Sequence, residues 1–356
     1  MFGQRKNKDQ REIEIKLSAF KTKADEIIKK MPLFDFDAFE KAYSDRRDLV
    51  ESVSLAFDNL IEDLKASGRI GTATSYNGAK KSIEAFRKNL TFGGVTKSFL
   101  QSYENWMVEN GNNTTSVGIY LRALRRVYNM QNINPKVYPF GKGDKQYIIP
   151  SGQNIKKSLT MEQLSMIYNY NATGQEMKAR DYWMFMYFAN GMNVADLCCL
   201  KWKDIDDDYI TFIREKTRRN VKNTTKIRVF YRPEMKEIIE RWGVVSISKE
   251  NYIFPHFKVG MDEERKYTIR RNLTSEINKQ MKKIAKNIGL KSSLSTIHAR
   301  HSFSTILKRS GESVEKISEM LGHTKIETTQ NYLGSFEDDQ IKKASQSLVA
   351  GLTKAK

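Results

Sequence analysis

A stretch rich in proline and glycine separates two long parts of the chain in which apolar residues recur at helical spacing. Three of the six prolines in the chain lie between residues 132 and 158, together with several glycines and lysines. Because proline and glycine interrupt helices, we place an interdomain linker at residues 135–158. A chain of 356 residues commonly holds two or three domains. The sequence therefore predicts a mainly α-helical protein of at least two domains, with one small β-hairpin in the second (α+β).

The part before the linker is predicted to be helical. Apolar stripes precede residue 70, and three further helical patterns follow at about residues 72–90, 96–110 and 113–131. Glycine pairs and asparagines break the patterns between them. We expect an N-terminal helical extension at residues 1–70, a helical domain at 71–134, the linker at 135–158, a second domain at 159–334 and a tail at 335–356.

The last helix before the linker carries three arginines, Arg122, Arg125 and Arg126, beside or opposite apolar residues such as Leu121 and Leu124. This arrangement is typical of a helix that packs on one face and meets phosphates on the other. A solvated basic face is the alternative for each arginine taken alone.

The second domain opens with Thr160 and Gln163 at the spacing of a capping box. Farther along, residues 210–217 and 226–230 have the alternation of two strands, joined by a loop that contains Arg218 and Arg219. We expect these segments to form a β-hairpin.

Composition agrees with a polyanionic partner. The chain has 61 Lys and Arg against 42 Asp and Glu, for a net charge of +19, and such an excess attracts nucleic acid in a salt-dependent way. Solubility alone also explains a basic surface. The two cysteines, Cys198 and Cys199, adjoin on an apolar helix and predict neither a metal site nor a disulfide. Without an apolar run of membrane-spanning length or a signal peptide, we expect a cytoplasmic protein with no membrane partner.

The candidate chemistry lies in the last hundred residues. An apolar helical pattern from residue 313 to 321 ends at Gly322, and Thr324 to Glu327 reads as a capping box that opens another helix. His323 would then lie in a tight turn, and Tyr332 near the end of the next helix. A tyrosine can attack phosphorus and form an ester, while Arg300 and His323 hold the non-bridging oxygens. A helix-capping histidine and a half-buried tyrosine are the alternatives for these residues taken singly.

Two ordered blocks carry a family resemblance. Leu321-Gly322-His323-Thr324 is followed by Thr329-Gln330 and Tyr332, and preceded by Ala299-Arg300-His301-Ser302-Phe303. Together with the segment from Gly191 to Leu197 and with Lys216-Thr217, these blocks resemble the tyrosine recombinase (phage integrase) family, in its mobile-element branch.

The resemblance implies cleavage, exchange and religation of DNA strands at specific attachment sites through a 3′-phosphotyrosyl link. It implies no metal and no other cofactor. It also implies a homotetramer on DNA, in some cases with an accessory DNA-bending protein. Residues 71–134 would be the helical core-binding (SAM-like) domain and residues 159–334 the catalytic domain. The tail at 335–356 would either dock on a neighbouring subunit or fold back on its own domain.

The resemblance also assigns roles to residues. Tyr332 would be the nucleophile, while Arg300 and His323 would bind the scissile phosphate. Lys216 would be the general acid for the 5′-oxygen, with an ordinary solvated lysine or a phosphate contact as the alternative. Contacts with DNA would come from the basic residues Arg122, Arg125, Arg126, Arg218 and Arg219.

Two departures from the family pattern bear on these roles. Asn193 stands where the family has its first arginine, and an amide supplies no charge to a phosphate. Arg180 is our candidate substitute, with a pairing to Asp181 or Glu176 as the alternative. The family's histidine would fall at Ile297, but the histidine is His298, which on a helix does not share a face with Arg300.

His301, next to that arginine, would support the site or be a structural histidine. The departures keep two other functions open. One is a catalytically silent DNA-binding relative that organises or regulates a recombination site, and the other is a topoisomerase-like strand cleaver.

Overall fold

The computed structural model describes residues 18, 21–22, 24–44, 52–131, 138–152, 158–218, 226–323 and 326–333. The chain divides into two compact units, Met1–Gly152 and Gln153–Lys356. The described part is mostly helical, as the apolar periodicity predicted. No helix in these ranges is long and apolar enough to cross a membrane.

The first unit is a helical bundle. Its helices are α1 (Phe36–Ser44), α2 (Val53–Ala66), α3 (Ile70–Phe86), α4 (Lys97–Glu109) and α5 (Thr114–Tyr128). The side chains of Ser52, Thr96 and Asn113 accept backbone N–H bonds where α2, α4 and α5 begin, which satisfies donors that a helix start leaves open. The three helices predicted between residues 72 and 131 are therefore present.

The core of this unit reaches beyond the boundaries that the sequence suggested. Buried residues of α2 share one apolar core with those of α3, α4 and α5, so part of the expected N-terminal extension packs into this unit. Phe140 and Tyr147, inside the expected linker at 135–158, are buried in the same core. The two aromatic side chains explain the difference. Burial of their large apolar surface holds this segment against the core, although glycines and prolines surround them in the sequence.

On α5, the predicted division into two faces is observed. Arg122, Arg125 and Arg126 are exposed, whereas Leu121 and Leu124 are fully buried.

The second unit contains eight helices among its described residues and one two-stranded sheet. The helices are α6 (Met161–Tyr168), α7 (Gly174–Phe188), α8 (Val194–Cys199), α9 (Pro233–Trp242), α10 (Glu263–Asn287), α11 (Thr296–Arg309), α12 (Val314–Met320) and α13 (Ile326–Leu333). The predicted capping box of Thr160 and Gln163 opens α6, with both reciprocal bonds made.

Helix α7 forms the centre of this unit. Its Tyr182, Trp183, Phe185 and Met186 are fully buried, and the helices α10, α11 and α9 pack around it. Cys198 and Cys199, near the end of α8, are both free thiols, and burial raises the pKa of Cys199 to about 12. They behave as small apolar residues, as expected.

The β-hairpin is also present. Strands β1 (Tyr209–Ile213) and β2 (Lys226–Phe230) pair antiparallel, with Tyr209 opposite Phe230 and Ile213 opposite Lys226. Alternate residues are buried on both strands, so one face of the hairpin packs on the core of the unit while the other faces solvent.

Candidate active site

Arg300 is the buried centre of the candidate site. It lies on α11 with 2% of its surface exposed. Its Nη1 donates to the carbonyl of Gly191 at 3.0 Å, and its Nη2 donates to the carbonyl of Leu321 at 2.7 Å. The same Nη2 is 2.9 Å from Nε2 of His323. One guanidinium therefore joins the loop before α8 to the turn after α12.

Gly191 permits the first of these contacts. Its φ is +66°, and a Cβ at this position would come within 2.8 Å of the Arg300 Cα. A left-handed backbone and so close an approach both require glycine. The Gly191 that the sequence places in the family motif thus has a packing function against the helix that carries Arg300.

His323 lies in the tight turn that the sequence predicted, directly after Gly322 with its φ of +62°. Its Nδ1 is 2.8 Å from Oγ1 of Thr329, which is fully buried on α13. Because Arg300 can only donate, Nε2 accepts and the ring proton lies on Nδ1, which donates to the Thr329 hydroxyl. Burial, and then the charges of Arg300, Arg214 and Lys216, lower the pKa of His323 to about 3. The imidazole is therefore neutral in this state.

Tyr332 lies in the last turn of α13, three residues after Thr329. Helix α13 is thus connected to the Arg300–His323 pair through the Thr329 hydroxyl. Thr324, the first residue of the predicted capping box before α13, lies outside the described residues.

Lys216 and Arg218 lie in the turn that follows β1, and both are exposed. Lys216 is close enough to His323 for its charge to lower the pKa of the imidazole. Arg219, which the sequence also assigns to DNA contact, lies outside the described residues.

Arg214 belongs to this cluster, although it lies outside the motifs that the sequence shares with the family. It follows β1 with 8% of its surface exposed, and its Cδ would be 3.3 Å from a Cβ at Gly322. Its Nε is buried and has no hydrogen-bond partner among the described residues. The strand alternation contained the signal, because Arg214 continues the inward series of Ile210 and Phe212.

Asn193 precedes α8, where its N–H donates to Oδ2 of Asp196 at 3.4 Å. Oδ1 of Asp196 accepts from the N–H of Glu215 at 2.7 Å. Burial raises the pKa of Asp196, against the opposite effect of its hydrogen bonds and of the nearby Arg214 and Arg300. The segment from Asn193 into the first turn of α8 therefore brings a carboxyl group to the cluster of cations, but no cation of its own.

Arg180 has other partners. Its Nη2 and Nε donate to Oδ1 of Asp181 at 2.9 and 3.2 Å, and its Nη1 donates to the carbonyl of Tyr170. Asp181 also accepts from Arg241 and from the indole N–H of Trp242. The described contacts of Arg180 thus follow the Asp181 alternative, and they do not include Arg300 or His323.

His298 helps to begin α11. Its Nδ1 accepts from the N–H of Ser295 at 3.1 Å and is 2.9 Å from the Ser295 hydroxyl. The ring is buried, with 7% exposed. His301 follows Arg300 on the same helix and is half-buried. We find His298 capping its helix, which agrees with the helical geometry that separates it from the face of Arg300.

Comparison with known families decides the relationship. The phage integrase family matches residues 157–338, more than half of the chain, and the phage integrase SAM-like domain matches residues 52–132. The chain belongs to the phage integrase family. It is therefore an enzyme of the tyrosine recombinase class. The residues that match the phage integrase family, 157–338, lie within its second unit.

Individual relatives have low sequence identity to this chain, but they align with most of its length. A tyrosine recombinase of Thermosipho africanus (strain TCF52B) is 24% identical over 256 residues, which cover 71% of this chain and 79% of that protein. Among solved structures, the Tn1549 transposon integrase in complex with transposon right end DNA aligns with a TM-score of 0.58 at 15% identity, over 84% of this chain and 99% of that one. The XerH site-specific recombinase bound to its difH substrate aligns with a TM-score of 0.53 at 16% identity, over 92% of each chain. These likenesses show that the phage integrase fold extends over most of this chain.

Proposed function

We propose that this phage integrase family member cleaves and rejoins double-stranded DNA at specific attachment sites through a 3′-phosphotyrosyl link to Tyr332. The observation that carries the proposal is the contact series from Arg300 to His323 to Thr329. It connects a buried guanidinium and an imidazole to the helix that bears Tyr332.

The phosphate would bind at the Arg300–His323 pair. A guanidinium offers several N–H donors and stays charged, so it can hold a non-bridging oxygen as negative charge develops. His323 is neutral without a phosphate, because burial and nearby cations lower its pKa to about 3. A phosphate anion between the imidazole and Arg300 would raise that pKa and allow Nε2 to donate as well.

The reaction would proceed in line. The Tyr332 oxygen forms a bond to phosphorus while the bond from phosphorus to the 5′-oxygen breaks. The phenol proton leaves to a base or to water, and Lys216 donates a proton to the departing 5′-oxygen. In the reverse direction a 5′-hydroxyl of a partner strand attacks the phosphotyrosine and restores the tyrosine. Supporting roles remain for His301 beside Arg300 and for His298 at the start of α11.

The duplex would be held through its phosphates. Arg122, Arg125 and Arg126 form an exposed basic face on α5, and Arg218 lies exposed on the hairpin turn, with Arg219 next to it in sequence. Cationic side chains contribute sequence-independent affinity that falls steeply with salt. The relatives solved with DNA support a duplex as the partner.

Membership in the family supports a proposal for the assembly and its setting. We place the protein in the cytoplasm, acting as a homotetramer on DNA, where an accessory DNA-bending protein could assist at some sites. The tail at 335–356 would dock on a neighbouring subunit or on its own domain. Residues 71–134 would serve as the core-binding domain and 159–334 as the catalytic domain.

The test is covalent trapping on the genome that encodes the chain. Genomic fragments nicked at random are incubated with the full-length protein, denatured in detergent, and recovered through the attached protein for sequencing. We expect adducts at a small set of sites, and none with Tyr332→Phe. Matched duplexes with the enriched sequence then show strand joining.

Other outcomes point to the other functions. Specific binding without any adduct would favour a catalytically silent DNA-binding relative, for which the neutral Asn193 is the supporting observation. Adducts without joining between two duplexes would favour a topoisomerase-like cleaver. Adducts that persist in Tyr332→Phe would exclude Tyr332 as the nucleophile.

A further inference from the structure

We propose that Arg214, at the end of β1, supplies the phosphate-binding guanidinium that the family usually carries at the position of Asn193. The inference rests on the proposed function, because it assigns a further catalytic residue to the same site. It does not follow from the family pattern, in which the first arginine belongs to the loop before α8 rather than to the hairpin.

The position of Arg214 supports this role. Its side chain passes against Gly322, where a Cβ would lie 3.3 Å from its Cδ, and Gly322 directly precedes His323. The Arg214 charge also acts on both His323 and Asp196. The guanidinium thus lies near the imidazole that Arg300 contacts, so two arginines approach one histidine from different elements.

The burial of Arg214 indicates a missing partner. Only 8% of the residue is exposed, and its Nε has no hydrogen-bond partner among the described residues. A buried N–H on a charged group without an acceptor costs about 1–3 kcal/mol or more, so proteins rarely keep one without a use. A phosphate offers the paired oxygens that a guanidinium fork binds with two parallel hydrogen bonds.

The neighbouring carboxyl group does not take this place. Both oxygens of Asp196 accept backbone N–H bonds, one from Glu215 and one from Asn193. The first of these bonds fixes the chain directly after Arg214, while the carbonyl of Arg214 accepts from the N–H groups of Thr217 and Arg218 at 3.1 and 2.9 Å. Asp196 therefore positions the segment that carries Arg214.

The same segment carries Lys216, two residues farther on and exposed. Arg214 is buried at the end of β1, whereas Lys216 is exposed because residues 215–218 form a turn in which the alternation of the strand no longer holds. In the cleavage step Arg214 neither gives nor receives a proton. It remains a cation and stabilises the additional negative charge on the non-bridging oxygens while the bond from phosphorus to Tyr332 forms and the bond to the 5′-oxygen breaks.

The test measures single-turnover adduct formation on a nicked duplex of the sequence recovered by trapping. Arg214→Gln is compared with wild type and with Arg228→Gln, a matched loss of one arginine on β2 of the same hairpin. Arg228 is exposed and stacks over the Tyr209 ring. Loss of one charged donor to the transition state typically costs about 100- to 1,000-fold in rate. We expect a loss of this size for Arg214→Gln and less than about threefold for Arg228→Gln.

A second substrate separates catalysis from structure. It carries a methylphosphonate at the scissile position, which removes the negative charge of one non-bridging oxygen. If Arg214 neutralises that charge, the ratio of the wild-type rate to the Arg214→Gln rate should fall by about tenfold or more on this substrate. A merely structural arginine would give the same ratio on both substrates.

A relocated charge provides the third measurement. Asn193→Arg in the Arg214→Gln background should recover at least about tenfold of the lost rate, because it restores a guanidinium to the family position. If thermal unfolding shows that Arg214→Gln is not folded, Arg214→Lys replaces it in these measurements. The lysine variant keeps the charge without the fork, and it should show a smaller loss and a smaller response to the methylphosphonate.

The two proposals fail in different ways. If wild type forms no adduct, the proposed function is wrong. If wild type forms the adduct and Arg214→Gln forms it at a similar rate, the assignment of Arg214 is overturned while the recombinase activity stands. The same conclusion follows if the rate of Arg214→Gln falls by the same factor on both substrates and Asn193→Arg does not restore it.

Discussion

Replacing Gly191 with alanine should separate the backbone requirement of the site from its packing requirement. Gly191 has a φ of +66°, and a Cβ there would come within 2.8 Å of the Arg300 Cα, 3.1 Å of its Cβ and 3.0 Å of its Cγ. The closest of these atoms belongs to the backbone of α11. The new methyl group can therefore be accommodated only if the helix or the loop before α8 moves.

Two costs add in this variant. A left-handed conformation costs a residue with a Cβ about 1–2 kcal/mol, and forcing an extra methyl group into a packed contact costs about 1–3 kcal/mol. Gly289→Ala is the matched control, because Gly289 has a φ of +74° and nothing within 4 Å of the corresponding Cβ. It carries the first cost without the second. We therefore expect Gly191→Ala to be less stable than Gly289→Ala by about 1–3 kcal/mol.

The assay is urea unfolding of the full chain followed by tryptophan fluorescence, since three of the four tryptophans, Trp183, Trp202 and Trp242, lie in the second unit. Cleavage by Gly191→Ala should also fall, even where the protein remains folded, because the displaced helix carries Arg300. Equal midpoints for the two glycine variants would refute the packing argument. Wild-type cleavage by Gly191→Ala would show that the position of Arg300 tolerates this shift.

Four further outcomes are expected. Thr329→Val removes the acceptor of the His323 Nδ1 proton and should slow cleavage by roughly 5- to 150-fold, the equivalent of about 1–3 kcal/mol for an unsatisfied buried donor; unchanged cleavage would remove Thr329 from the site. The pKa of His323 is lowered from 6.5 to about 3, so its contribution to stability is present above about pH 6.5 and is lost as the pH falls toward 3. In proton NMR of the imidazoles, Arg214→Gln should raise this pKa, and no change would place Arg214 farther from His323. Asp181→Asn should destabilise the chain by about 3 kcal/mol in urea unfolding, because Arg180 and Arg241 both lose a buried carboxylate partner. A change below about 1 kcal/mol would mean that solvent replaces the carboxylate as the partner of these arginines.

The parts of the fold that depend on local sequence were predictable. Helix boundaries such as the capping box at Thr160 and the stop at Gly322 are set by residues within one turn of the helix end. The hairpin followed from alternation in the same way. The tight turn at His323 was also predictable, because Gly322 and the apolar face before it are adjacent in sequence.

The parts that depend on contacts between distant segments were not predictable from pattern. Phe140 and Tyr147 lie among glycines and prolines, so their segment reads as a linker, but both are buried in the core of the first unit. Sequence pattern alone does not identify Arg214, because a charged residue after a strand normally faces solvent. Only the approach of the hairpin to Gly322 shows that it is buried near His323.

The electrostatics of the site explain why a charge lost at Asn193 can be supplied from the hairpin. The charges of Arg214 and Arg300 both act on the buried Asp196, and a backbone N–H from each of two segments binds its oxygens. Asp196 therefore ties the loop before α8 to the end of β1, and an arginine can enter from either segment and reach the same neighbourhood. With several cations nearby, the cluster remains stable without a phosphate because His323 stays neutral and accepts from Arg300. A scissile phosphate would add the negative charge that this arrangement lacks. Binding of the substrate would therefore also supply the anion that the arginines and His323 are arranged to hold.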